Sequence, residues 1–180
     1  MGRHLGQHFL TSHRIAERIA KSADIQPGDT VLEIGPGKGI LTEALLKTGA
    51  RVIAVEKDSK LVEGLRQKFA QSDNLTIIES DIRDVLRFPK GLPLRAPKGN
   101  PLGNPLELTS VKVVANIPYY ISGQLFRLLV SDRKNPPRLI VVMVQQEVAE
   151  RIVMRGKTNL LGLSIQPTMT ARIAFRVSRG

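Results

Sequence analysis

Residues 31–45, VLEIGPGKGILTEAL, pass from an apolar run through three glycines into a helical pattern. The run ending at Ile34 has the character of a strand covered on both faces. Gly35, Gly37 and Gly39 stand where a backbone must turn tightly and let a ligand approach. Beyond them apolar side chains recur at helical spacing, with Gly49 expected at the C′ position. Strand, glycine-rich turn and helix, in that order, open a nucleotide-binding type of α/β unit.

The pattern continues on both sides. A capped helix is predicted over 11–25, with Ile15, Ile19 and Ala20 on one face. Strands are predicted at 30–34, 51–56, 74–81, 111–116 and 137–145, with helices over 58–71, 121–130 and 146–154 between and after them. Asp58 is the expected N-cap of the first of these helices. Such alternation predicts a single α/β domain over residues 1–180, a mostly parallel sheet with helices on both faces. Residues 89–110 hold five prolines and three glycines and are predicted to form an extended basic loop. A sixth strand is expected at 171–177, and its antiparallel partner would have to follow Gly180, so the last strand of the sheet is expected to be missing.

Composition narrows the function. Lys and Arg total 27 against 16 Asp and Glu, a net charge of +11, which favours a polyanion, nucleic acid first. No apolar run reaches the ~18 residues of a membrane span, and the first residues lack a secretory h-region and a myristoylation pattern. Zero cysteines exclude disulfides and thiolate metal sites and accord with a reducing cytoplasm. His4, His8 and His13 have no carboxylate partners at ligand spacing, so no metal is expected.

The turn is G-x-G-x-G and does not meet the G-x-G-x-x-G of dinucleotide sites. Glu33 just before it would repel a pyrophosphate and welcome a sulfonium or an ammonium. Glu56, 21 residues after Gly35, is placed to accept both protons of a ribose diol. Asp81 and Ile82 offer a carboxylate and an apolar side chain to an adenine. S-adenosylmethionine carries all these groups and no phosphate, and is preferred over NAD.

The fourth strand ends in Asn116, Ile117, Pro118, Tyr119 and Tyr120, with no polar turn between. At the carboxyl end of a strand these side chains would face the ligand crevice. The amino group of a nucleobase is a poor nucleophile because its lone pair is delocalised into the ring. The Asn116 side-chain carbonyl and the Pro118 main-chain carbonyl can each accept one of its N–H groups, which frees the lone pair. Tyr119 offers a face to an unstacked base.

GQHFL (6–10), VLEIGPGKGILTEAL, VIAVEKD (52–58), SDIRDV (80–85), VVANIPYYIS (113–122) and VVMVQQEVAERI (141–152) together resemble the ribosomal RNA adenine N6-dimethyltransferases. Within that family the chain looks most like the bacterial small-subunit (16S) enzymes linked to kasugamycin sensitivity, on MVQQEVAERI and NLLGLSIQ (159–166). The resemblance implies a Rossmann-like class I methyltransferase domain and dimethylation of two adjacent adenosines in a small-subunit hairpin loop, on RNA or an immature 30S particle. It implies donor contacts at His8, Leu10, Gly35, Glu56, Asp81 and Asn116, and a target-base site of Asn116, Pro118 and Tyr119. The family usually has Asn where this chain has His8. It also continues past Gly180 with an F-x-P-x-P segment, a last strand and a small helical RNA-binding domain. A monomer without membrane attachment is expected. The competing readings are a macrolide-resistance methyltransferase of large-subunit RNA and a non-catalytic RNA-binding or ribosome-assembly factor.

Overall fold

A computed structural model describes residues 10–87, 110–117, 122–131, 136–154 and 158–177. Five strands, β1 (Thr30–Ile34), β2 (Arg51–Glu56), β3 (Leu75–Glu79), β4 (Val111–Asn116) and β5 (Leu139–Met143), form one sheet in the order β3-β2-β1-β4-β5. Every neighbouring pair is parallel. The order reverses beside β1, where an open α/β sheet has its ligand crevice.

The central strands are apolar on both faces because both faces are covered. Val31, Val52 and Val114 pack with Ala16, Ile19, Leu41 and Leu45 of α1 (His13–Ser22) and α2 (Ile40–Leu46). Leu32, Ile53, Val113 and Ala115 face the opposite side. There they meet side chains of α4 (Ile82–Arg87), α5 (Ser122–Phe126), α6 (Gln146–Ile152) and α7 (Leu160–Ile165). Burying an Ile or Leu side chain stabilises by about 1.5–3 kcal/mol, so these two layers dominate folding. The α1 helix buries Ala16, Ile19 and Ala20 at helical spacing, and Ile15 is only partly buried. Its N-cap is Ser12, whose Oγ accepts the Ile15 N–H at 3.4 Å. Asp58 caps α3 (Ser59–Lys68), accepting the N–H groups of Lys60 and Leu61.

Near the amino end of β4 an ion pair with one buried partner fastens the strand. Lys112 is 6% exposed, and its Nζ lies 2.8 Å from Asp29 Oδ2 and donates to the Asp24 carbonyl. The Gln26 N–H and then Lys112 hold the Asp29 carboxyl below its usual range.

The structure departs from expectation in several places. The helix over 121–130 is two windings, α5 and then a π-helical turn at Arg127–Ser131, which together bury Leu125, Phe126, Leu129 and Val130. Gly49 adopts φ 79° but lies two residues past the Lys47 C-cap instead of next to it. Helices α4 and α7 were not expected. The sixth strand does not form: residues 171–177 join no ladder, although their side chains alternate between half-buried and exposed. Met169 and Ala171 pack on one face of the sheet and Phe175 on the other. The side chains of this stretch therefore reach both core layers without extending the sheet. Arg18 of α1 stacks 4.2 Å from the Phe175 ring centroid and holds the far end down. The 89–110 loop lies outside the described residues except for Ser110.

Candidate active site

All of the expected site residues that the structure describes, except Leu10, lie at the carboxyl ends of the strands. Gly35 follows β1, Glu56 ends β2, Asp81 lies two residues past β3, and Asn116 ends β4. Strand register fixes the row: Ile34 pairs with Val55 and Ala115, and Glu56 with Glu79. His8, Pro118 and Tyr119 lie outside the described residues. Leu10 is half-buried against the α1 and α2 side of the sheet.

The three glycines of the turn have φ of 66°, 58° and 76°, a backbone that side chains with a Cβ rarely adopt. Their surroundings differ. A Cβ on Gly35 would meet nothing within 4 Å, so open space lies above this residue. A Cβ on Gly39 would come within 2.6 Å of the Phe69 ring and 2.8 Å of Leu65. Gly39 is required for packing against α3, whereas Gly35 leaves room for a ligand.

Glu56 is 7% exposed and anchored by backbone donors. Its Oε1 accepts the N–H groups of Lys57 and Asp58 at 2.8 and 3.0 Å, and its Oε2 that of Gly37 at 3.2 Å. These bonds lock the end of β2 to the glycine turn. A carboxylate has about four lone-pair positions, and the one left on Oε2 is available to a ligand hydroxyl.

Asp81 is the N-cap of α4. Its Oδ1 accepts from the Arg83 N–H and Nε, both at 2.9 Å, and its Oδ2 from Arg83 Nη2 at 2.5 Å and Lys57 Nζ at 3.1 Å. The Arg83 guanidinium, with Lys57 behind it, holds the carboxyl far below the usual carboxylate range. Asn116 is half-buried beside the crevice.

Glu33, whose position in the sequence pointed to a cationic ligand, is 1% exposed. Burial, with the nearby Glu56 charge adding to it, pushes its carboxyl up to about 8 against the pull of Thr42. Sequence reasoning missed Thr42, Lys57 and Arg83. Thr42 follows Gly39 by one helical turn and is fully buried, and a hydroxyl at that spacing from a glycine turn is the signal that could have found it. No group of three or more His, Cys, Asp or Glu residues that could hold a metal occurs among the described residues. Among them, no helix is long and apolar enough to cross a membrane.

Comparison with known proteins agrees with this geometry. Residues 2–177 match the family model described as ribosomal RNA adenine dimethylase. The ribosomal RNA small subunit methyltransferase A of Dehalococcoides mccartyi is 44% identical over 163 residues, 90% of this chain and 51% of that protein. Among solved structures, the dimethyladenosine transferase of Plasmodium falciparum superposes with a TM-score of 0.59 at 30% identity, covering 81% of this chain and 46% of that one. The 23S rRNA methyltransferase ErmE gives a TM-score of 0.61 at 26% identity, covering 82% and 52%. The chain spans about half the length of the curated relatives it matches. With a glycine turn, a backbone-anchored carboxylate and a helix-capping aspartate in one row, and a family match over nearly every residue, the chain belongs to the ribosomal RNA adenine dimethylase family.

Proposed function

We propose that this chain is the methyltransferase domain of a ribosomal RNA adenine N6-dimethyltransferase. It takes methyl groups from S-adenosylmethionine and places them on two adjacent adenosines of a small-subunit hairpin loop. The observation that supports this best is the row of Gly35, Glu56, Asp81 and Asn116 along one edge of the sheet. The small-subunit substrate is preferred because the relative at 44% identity is named for it, while the large-subunit neighbour stands at 26%.

The residues suit the donor. The open space over Gly35 admits a chain that a Cβ would block, the free position on Glu56 Oε2 suits a ribose hydroxyl, and Asp81 suits an adenine amino group. His8 and Leu10 would complete the donor's other end. When bound, the donor supplies an electrophilic methyl on sulfur, and no metal is required. The work left to the chain is to aim the acceptor nitrogen. The Asn116 and Pro118 carbonyls each take one N–H of the target amino group, and Tyr119 stacks on its ring. Positioning of this kind lowers barriers by removing orientational freedom, not by proton transfer. RNA is drawn by the +11 charge, and each phosphate neutralised adds about 0.7–0.9 to the log–log salt slope. We place the protein in the cytoplasm as a monomer acting on RNA or an immature 30S particle.

The test is transfer of label from S-adenosylmethionine to small-subunit RNA and immature 30S particles, with large-subunit RNA as control. Label confined to large-subunit RNA would favour the macrolide-resistance type. Salt-sensitive RNA binding without donor binding would favour an assembly factor.

A further inference from the structure

Glu33 lies on the same side of β1 as Val31, the side covered by α1 and α2. It is paired in register with Ala54 and Val114. Neither of its carboxylate oxygens has a hydrogen-bond partner among the described residues, nor does the Thr42 hydroxyl. Thr42 is near enough to favour the ionised form without completing a bond to it. A buried carboxylate left this way is costly unless it is neutral or meets a cation.

Among the described residues no cation answers it. The α1 side chains on this face are Ala16, Ile19 and Ala20, and α2 contributes Leu41, Leu45 and Thr42. His13 and Glu43 of these helices act on one another, and Glu43 pairs with Lys47 and Lys68. On β4 the neighbour is Val114, and Lys112 further along is bound to Asp29. On β2 the charged neighbour is Glu56, of like sign. A buried carboxylate near the end of β1 and a second at the end of β2 thus stand on adjacent strands, and Gly37 of the turn that follows β1 is bonded to Glu56.

We propose that Glu33, steadied by Thr42, is a proton-linked counter-charge: it keeps its proton in the ligand-free chain and releases it to solvent when the cationic methyl donor binds. This deepens the donor assignment above and rests on it. The carboxylic acid becomes a carboxylate, one proton passes to the buffer, and the donor's positive charge takes that proton's place. Burial and the Glu56 charge already hold the group largely protonated at neutral pH. Donor affinity should therefore climb with pH, approaching tenfold per unit below pH 8, and level off above it. A glutamate that only braces the glycine turn would show no such climb.

Calorimetric titration of S-adenosylmethionine into the 180-residue chain, in phosphate and in Tris buffer at pH 6, 7 and 9, counts the protons. We expect close to one released at pH 7 and almost none at pH 9. Glu33→Gln should bind with no proton release and a flat pH profile, falling more than tenfold below the parent at pH 9. Thr42→Val should move the midpoint upward, because it removes a group that favours the ionised form. Donor binding with no proton released at pH 7, or with equal release by the parent and Glu33→Gln, overturns the inference and leaves the donor assignment standing. Absence of any donor binding by the parent overturns both.

Discussion

Arg83 forks both oxygens of Asp81 from within the same first turn of α4, and Lys57 reaches across from the end of β2 to the second oxygen. With the Arg83 backbone N–H, all four lone-pair positions of the carboxylate are taken. On the proposed donor assignment, an adenine amino group would have to displace one of these four. Lys57 is the weakest holder, because its side chain is 72% exposed and its bond is the longest of the four. Lys57→Ala should therefore tighten S-adenosylmethionine binding several-fold, and Asp81→Ala should weaken it by about 1.5–3 kcal/mol, the scale of charged hydrogen bonds. Isothermal titration reads both. Weaker binding by Lys57→Ala would show that the lysine assists the ligand.

The glycines of the turn should separate binding from stability. Gly35→Ala should cost about 1–2 kcal/mol of folding free energy for its left-handed backbone and abolish most donor binding by filling the open space. Gly39→Ala adds a clash with Phe69 and Leu65 to the same backbone strain, and should cost about 1–3 kcal/mol more. Urea melts of the two variants, beside donor titrations, give the comparison.

Lys112 should matter to folding and not to the ligand. Lys112→Ala leaves Asp29 without its nearest cation, and because Asp29 keeps contact with solvent the cost should be about 1.5–3 kcal/mol, the scale of a charged hydrogen bond. The Asp29 carboxyl is depressed in the folded chain. Its contribution is therefore present above the unfolded value near 3.8 and lost as pH falls through the lower folded value. Thermal melts between pH 2 and 6 should show a steeper acid decline in the parent than in Lys112→Ala.

Glu33 has the opposite sign. Its folded value is raised from 4.5 to about 8, so the native chain binds more protons than the unfolded one between those values. Stability of the ligand-free chain should fall as pH rises from about 4.5 to 8. Glu33→Gln should flatten that slope and melt higher than the parent at pH 8, as differential scanning calorimetry would record.

Asn116→Ala should lower methyl transfer at least a hundredfold, about 2.7 kcal/mol at 1.36 per tenfold, with RNA affinity nearly unchanged. Single-turnover assays beside filter binding distinguish this from a docking defect, in which both would fall together.

The strands were legible because each is a compact apolar run with punctuation at its ends. Asp58 was legible because an N-cap is a local signal. The sixth strand misled because Ala171, Ile173 and Phe175 do point inward on alternate residues. Alternation reports an extended chain against a surface, and a ladder needs a neighbour that the pattern does not contain. Helix α4 was hidden by its six residues, too few for periodicity to show. At the site, carboxylates were found by position along the strands. Their partners were not, since Arg83 and Lys57 are ordinary surface types whose role depends on side-chain reach. That Glu33 is fully buried while Glu56 is wired to backbone amides also needed three dimensions.

Strand β4 carries Lys112 near one end and Asn116 at the other, four residues and roughly 13 Å apart on one face at ~3.3 Å per residue. The two ends answer to different pressures. Substitutions around Lys112 are screened by whether the chain folds, and, on the proposed function, those around Asn116 by whether an acceptor nitrogen is aimed. The apolar stretch between them, Val113 to Ala115, is fully buried in the sheet. A laboratory lineage could therefore harden the lower end of this strand and retune the upper end toward another base, in either order.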